Sequence, residues 1–302
     1  VNGRTVTLTG AGTATITATQ AATANYTAAS VTALLVVDSR PDPTQDAEVV
    51  SGLQAQMDTA LRFANAQQGN VRDRLRQRRG TDAAGNANGL SVNSTGGEGG
   101  VALKPELLEN GKAGKAWSFW TGGAINTGER KSRGNNDGYD FHSDGVTFGA
   151  DTRVGKDVLL GVAVGGGWSD TDVGANGSTV DPRQRALTVY GLWHAIDALF
   201  LDGQLAVGRL DYDLRRWSGI ADRMGIAQRD GSQVFGSLTF GYESSNASRR
   251  LTSYGRIDAG RTTLDAYRET GLGIYDLDYR EQTFEQRSVA VGVEGSHNVK
   301  VD

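Results

Sequence analysis

Val158-Leu-Leu-Gly-Val-Ala-Val-Gly-Gly-Gly-Trp168 is the stretch on which the fold turns. Successive side chains of a β-strand point to opposite faces. Val158, Leu160, Val162 and Val164 therefore share one face, with Trp168 at its end, while Gly161, Ala163 and Gly165 share the other. One face is greasy and ends on an aromatic of the kind that sits at a membrane interface, and the other is small. Gly165-Gly166-Gly167 lacks the Lys and Ser or Thr of a phosphate-binding loop. Small strand residues are ordinary where an interior must stay clear, so no nucleotide is assigned.

The same two-faced pattern recurs on either side. Val146, Phe148, Ala150 and Val154 oppose Thr147, Gly149, Asp151 and Arg153, and Val234, Leu238, Phe240 and Tyr242 oppose Ser237, Thr239 and Gly241. Leu251, Ile257 and Ala259 oppose Thr252, Arg256 and Asp258, and Val289, Val291 and Val293 oppose Ser288, Ala290, Gly292 and Glu294. Val146, Phe148, Trp168, Leu238, Phe240 and Val291 are thus expected to face lipid, and Asp151, Arg153, Arg256, Asp258 and Glu294 an aqueous lumen. Residues 187–193 are apolar on both faces, and 201–214 shift phase near Gly208, where a bulge is expected.

A soluble sandwich produces the same alternation, but the connections separate the two. Gly155-Lys156, Ala195 to Ala198 and Glu243 to Arg249 read as short turns, whereas the links around 128–139, 169–184, 214–230 and 262–286 read as long and polar. Short turns at one end and long loops at the other suit hairpins crossing one membrane of fixed thickness. The expected fold is all-β, an antiparallel transmembrane barrel with about eight strands present.

Composition agrees without deciding. Of 302 residues 42 are Gly and only 4 Pro, as a chain of many strands and turns requires. Mean hydropathy is −0.40, which an alternating barrel tolerates. No run of about 18 apolar residues reads as a membrane helix, and Val1-Asn-Gly-Arg4 lacks a signal peptide's apolar core. Absence of cysteine makes disulfides irrelevant, and a net charge of −4 gives no general nucleic-acid surface.

Ahead of the strands the character changes. Residues 1–37 carry the β-type runs Thr5-Val-Thr-Leu8, Ala14-Thr-Ile-Thr17 and Val31 to Val37. Residues 38–79 read as a helix opened by Pro43, with Val50, Leu53, Met57, Leu61, Ala64, Val71 and Leu75 at helical spacing and a break allowed at Gly69. Its end, Asn70-Val-Arg-Asp-Arg-Leu-Arg-Gln-Arg-Arg79, is strongly basic. Two readings stand side by side: a solvated face complementing the helix dipole, or a basic end held in the pore by carboxylates such as Asp151, Asp258 and Glu294. Residues 80–114 show no sustained period and read as a Gly/Asn-rich flexible connection, with a helical turn at Leu103 to Leu108, and the barrel takes 115–302. Its first strand, from near Ala116, starts at the short-turn end, so a chain leading outward from that point has to pass through the lumen.

Catalytic chemistry finds no constellation. His142, His194 and His297 are scattered with no metal-ligand spacing. Ser237 lies in a strand pattern with no evident base, and Asp137, Asp140 and Asp144 lack the spacing of a calcium loop and read as solvated. The chain is read as no enzyme, with no cofactor and no metal.

Asn70 to Arg79 resembles the linker helix that precedes the barrels of bacterial autotransporters, with Asn70, Arg74 and Leu75 matching its Asn, Arg and apolar positions. Gly111-Lys-Ala-Gly-Lys-Ala-Trp117 resembles the entry into their first strand. Gly12 to Gln20 with Asn25-Tyr26 is similar to the end of a bacterial immunoglobulin-like repeat, a partial Ig-like module. The resemblance implies a translocator of type V secretion in the bacterial outer membrane, displaying an N-terminal passenger at the cell surface. Outer-membrane lipid, the barrel-assembly machinery and the passenger itself are its implied partners, and Asn70, Arg72, Arg74, Leu75 and Arg78 its pore-helix residues. Two departures stand out: about 35 residues separate helix and first strand, and the family's twelve strands and terminal aromatic are not all here, as in a chain truncated before its last strands. The alternative is a surface adhesin in which the barrel only anchors and the N-terminal module binds a host or neighbouring cell.

Overall fold

The computed structural model describes residues 5–79, 86–95, 101–103, 107–108, 117–134, 136–245 and 249–297, the stretches between 86 and 108 as backbone. The chain divides into two units, one ending at Asp46 and one starting at Ala47.

The first unit is an antiparallel hairpin of β1 (Gly12–Gln20) and β2 (Ala29–Val37). Its register sets Ala14, Ile16 and Ala18 beside Leu35, Ala33 and Val31 on one face, and Thr13, Thr15, Thr17 and Thr19 on the other. The Thr face also takes Leu34 and Val36 of β2, so β1 alternates cleanly and β2 is apolar on both faces toward its end. A 3-10 turn at Pro43–Gln45 follows, capped by the Asp42 carboxylate, which accepts from the Thr44 amide at 2.9 Å.

The second unit opens with α1 (Ala47–Arg79), unbroken at Gly69 and about 50 Å long at 1.5 Å per residue. Glu48 in its first turn and Arg76, Arg78 and Arg79 in its last complement the helix dipole. Then come β3 (Asn86–Thr95), β4 (Val101–Leu103) and β5 (Leu107–Leu108), strands where sequence suggested a connection and a helical turn. Gly111 to Ala116 lie outside the described residues.

Eight long strands follow: β6 (Ser118–Arg130), β7 (Tyr139–Val154), β8 (Val158–Val173), β9 (Ser178–Ile196), β10 (Leu199–Ser218), β11 (Arg223–Ser245), β12 (Arg249–Leu264) and, after the two-residue strands β13 (Tyr267–Arg268) and β14 (Asp278–Tyr279), β15 (Gln282–His297). They pair antiparallel, neighbour to neighbour, from β6 through β12 to β15, and β3 joins the β6 edge in parallel. The sheet curls around α1.

Its convex face is apolar. Phe148, Leu160, Val162, Val164, Trp168, Leu187, Val189, Leu205, Val207, Val234 and Leu238 are about half exposed, Phe240 is 58% exposed and Val291 85%. Val146 shares this face but is half-buried. In water this would be one continuous greasy patch, far beyond what soluble monomers show, and the soluble-sandwich reading fails on it. Leu160 to Trp168 rises roughly 26 Å along the strand, or about 20 Å at a barrel strand's tilt, close to the height of a lipid-facing band.

Three expectations change. The segments 169–184 and 214–230 are extensions of β8, β9, β10 and β11, joined by turns at 174–177 and 219–222. Their outward residues are mostly polar, with Trp217, Met224 and Ile226 as exceptions, because they stand beyond the apolar band, which weakened the greasy signal that marks a strand. Gly208 carries no bulge; inward and outward positions alternate without slip along β10, and the register breaks at Leu199/Phe200 instead. The apparent phase shift arises because Leu210, Tyr212 and Leu214 point inward, against Ala55 and Ala60 of α1.

Candidate functional site

The concave face and α1 form the site. Most of the helix face buried against the sheet is polar or small: Glu48, Ser51, Ala55, Gln56, Thr59, Ala60, Gln67, Gln68, Asn70, Arg74 and Arg78. Val50, Leu53, Met57 and Leu61, which set the helical period in the sequence, are only half-buried. A polar concave wall reverses the usual rule for an amphipathic helix.

The basic end of α1 meets carboxylates. Arg74 is 1% exposed and donates to Asp151, itself 0% exposed, from Nε at 2.6 Å and from Nη2 at 3.1 Å. Arg78 Nε lies 3.1 Å from the second Asp151 oxygen, and Tyr190 donates to that carboxylate at 3.1 Å. Trp120 Nε1 in turn donates to the Tyr190 hydroxyl at 2.6 Å. Arg79 pairs with Asp202 and lies over the Phe200 ring. Arg72 lies 3.6 Å from Asp258, which also takes Arg256 at 2.9 Å, and Arg76 reaches Glu294 at 2.7 Å. Arg153 donates to the Arg78 carbonyl at 2.9 Å.

Higher on the helix, Asn70 donates to Thr147 at 2.8 Å, and Thr147 to Gln67 at 2.8 Å. Leu75 packs with Val71, Trp120, Leu159 and Phe200. Gly165 and Gly167 of β8 admit helix side chains: a Cβ at Gly165 would strike the Gln67 amide, and one at Gly167 would lie 2.7 Å from the Phe63 ring. The sheet also grips helix carbonyls, through Tyr212 to Gln56 O at 3.0 Å, Gln233 to Ala60 O at 2.9 Å and Gln204 to Gln68 O at 3.0 Å.

At the opposite end Ser51 donates to Asn136 at 2.6 Å, and Asn176 to Glu48 at 3.0 Å, so the helix N-terminus lies among the β6–β7 and β8–β9 connections. The segment 265–281 folds over this mouth. Arg229 donates to the Asp265 carbonyl at 2.7 Å, to Gln56 Oε1 at 2.9 Å and to Gln282 Oε1 at 3.0 Å. Arg216 is bidentate to Glu269 at 2.8 and 2.7 Å, and Tyr279 donates to the same carboxylate at 2.9 Å. Tyr267 stacks on Tyr279 at 4.3 Å; burial pushes the Tyr267 phenol up to about 12 and that of Tyr279 higher still.

The structure thus gathers Asn70, Arg72, Arg74, Leu75 and Arg78 against the sheet, and sets Asp151, Arg153, Arg256, Asp258 and Glu294 on the face that meets them. Sequence reasoning missed Asp202, Tyr190, Trp120 and the mouth cluster around Arg229. Asp202 was within reach, since counting back by twos from inward Ala206 arrives at it. Asp140 and Asp144 lie on β7 rather than in a loop, and Ser237 accepts from Gln204 at 3.1 Å.

Comparison with known proteins supplies the lineage. The translocator domain of the autotransporter NalP from Neisseria meningitidis is a structural neighbour with a TM-score of 0.53 and 18% identity, over 64% of this chain and 66% of that one, a likeness of fold. Lipase 1 of Photorhabdus luminescens is 26% identical over 155 residues, covering 50% of this chain and 24% of that protein, so the chain spans about a quarter of this curated relative. Residues 119–302 match the autotransporter β-domain, and with that match covering most of its length the chain belongs to the autotransporter β-domain family of outer-membrane translocators.

Proposed function

We propose that this chain supports secretion of the segment preceding Ala47 and holds it at the cell surface through a helix-filled barrel. The observation that carries the reading is the course of α1. It enters at the mouth formed by the longer connections, runs along the polar concave wall, and ends in an ion-paired arginine cluster beside the short turns. A chain threaded this way has its N-terminal part on one side of the membrane and the start of β6 on the other. The passenger is then the protein's own substrate, the barrel-assembly machinery its insertion partner, and no covalent chemistry is asked of the chain.

The chain has no cysteine, so single introduced cysteines report position cleanly. On intact cells a membrane-impermeant maleimide should label Gln45→Cys, whereas Arg76→Cys should react only once the outer membrane is opened. Equal labelling of both on intact cells would overturn the threading. Deleting residues 1–37 separates the adhesin alternative: host-cell binding should vanish on that view, while display of a fused reporter persists on this one.

A further inference from the structure

The convex face holds a feature that threading does not use. Leu187, Val207 and Val234 close the apolar band toward the mouth, and the next outward positions on β9 and β10 are Arg185 and Arg209, which stand directly opposite each other. Both are exposed, and among the described residues neither side chain has an ion pair or hydrogen bond. Their other cross-strand neighbours are Gly166 and Ser232. Like charges facing each other across a ladder repel.

Arg183, one outward position on, stands opposite Trp168 on one side and the carboxylate-bearing Asp211 on the other. Arg261 and Arg287, outward on β12 and β15, both lie against Glu285, at 3.9 and 2.8 Å. Farther from the band the face turns acidic, with Asp211 opposite Asp230 and Asp213 opposite Asp181. Arg185 and Arg209 thus form a like-charged pair with no carboxylate opposite either of them, at the depth where apolar side chains give way to polar ones, with an aromatic beside it. That depth is where lipid headgroups lie. Paired guanidinium groups match the geometry of a phosphate.

We propose that Arg185 and Arg209, flanked by Arg183 and Trp168, hold the phosphate of an anionic lipid in the leaflet at the mouth end, with its acyl chains along Val164, Leu187 and Val207. This rests on the convex face being lipid-facing. The test uses the full chain inserted into phosphatidylcholine vesicles with and without phosphatidic acid, and native mass spectrometry of the lipid it retains. Wild type and R261Q/R287Q should retain phosphatidic acid over phosphatidylcholine, and R185Q/R209Q should bind it about thirtyfold more weakly. Undiminished retention by R185Q/R209Q, an equal loss in R261Q/R287Q, or displacement of the lipid by inorganic phosphate would each overturn the assignment. Insertion without preference for phosphatidic acid rejects this site alone. Failure to insert into either vesicle rejects the membrane reading and this site together.

Discussion

Replacing Asp151 by alanine should loosen α1 more than any other single truncation at its basic end. The carboxylate is fully buried and takes two hydrogen bonds from Arg74, one from Tyr190 and the approach of Arg78. Removing it takes the buried carboxylate away from two buried guanidinium groups, a loss of about 3–5 kcal/mol. Arg74→Ala should cost less, about 1.5–3 kcal/mol, because Asp151 keeps Arg78 and Tyr190. Arg76→Ala, whose side chain is 55% exposed on Glu294, should cost at most about 1 kcal/mol. The assay is urea-dependent labelling of a cysteine placed at buried Ala64, the free energy of helix release being read from the labelling rates. If Asp151→Ala and Arg76→Ala fall within about 0.5 kcal/mol of each other, the helix is not held by this buried pair.

Gly165→Val should push Gln67 aside and raise labelling at the same position, at an overpacking cost of about 1–3 kcal/mol; unchanged labelling would mean the notch does not seat the helix. Arg229→Ala should expose 265–281 to protease while leaving cleavage within α1 unchanged, since its acceptors are largely carbonyls and amides of that segment and its surroundings. The same segment should open in alkali. Tyr267 is held neutral up to about 12 against 10.0 in the free chain, so its contribution is complete below pH 10 and is lost as pH climbs toward 12. Protease sensitivity of 265–281 that stays flat across that range would contradict the buried phenol.

The sheet was readable where lipid-facing and inward residues differ in kind, as at Val158 to Trp168. It was unreadable where the strands leave the membrane, since Ser169 to Val173 has only Asp170 and Asp172 outward and Arg223 to Arg229 offers only Met224 and Ile226 before the outward face turns polar. The Arg74–Asp151 meeting was approached from both sides, through a basic helix end and an inward carboxylate, but alternation says nothing of height along the strand. Which arginine met which acid awaited the helix's axial position. That position is set by Phe63 and Gln67 against Gly167 and Gly165, a fit between segments about a hundred residues apart. Arg229, with partners on α1, β12 and the 265–281 segment, lies beyond any local pattern.

The glycine notches of β8 also restrict how such a protein can be recombined. Everything up to Asp46 forms a unit of its own, so a foreign cargo can be spliced there without touching the barrel. A graft carried past Ala47 brings a helix whose bumps were shaped for another wall, and it would need its own strand to come with it. Natural shuffling of cargo among such proteins should accordingly leave its crossover points upstream of the helix.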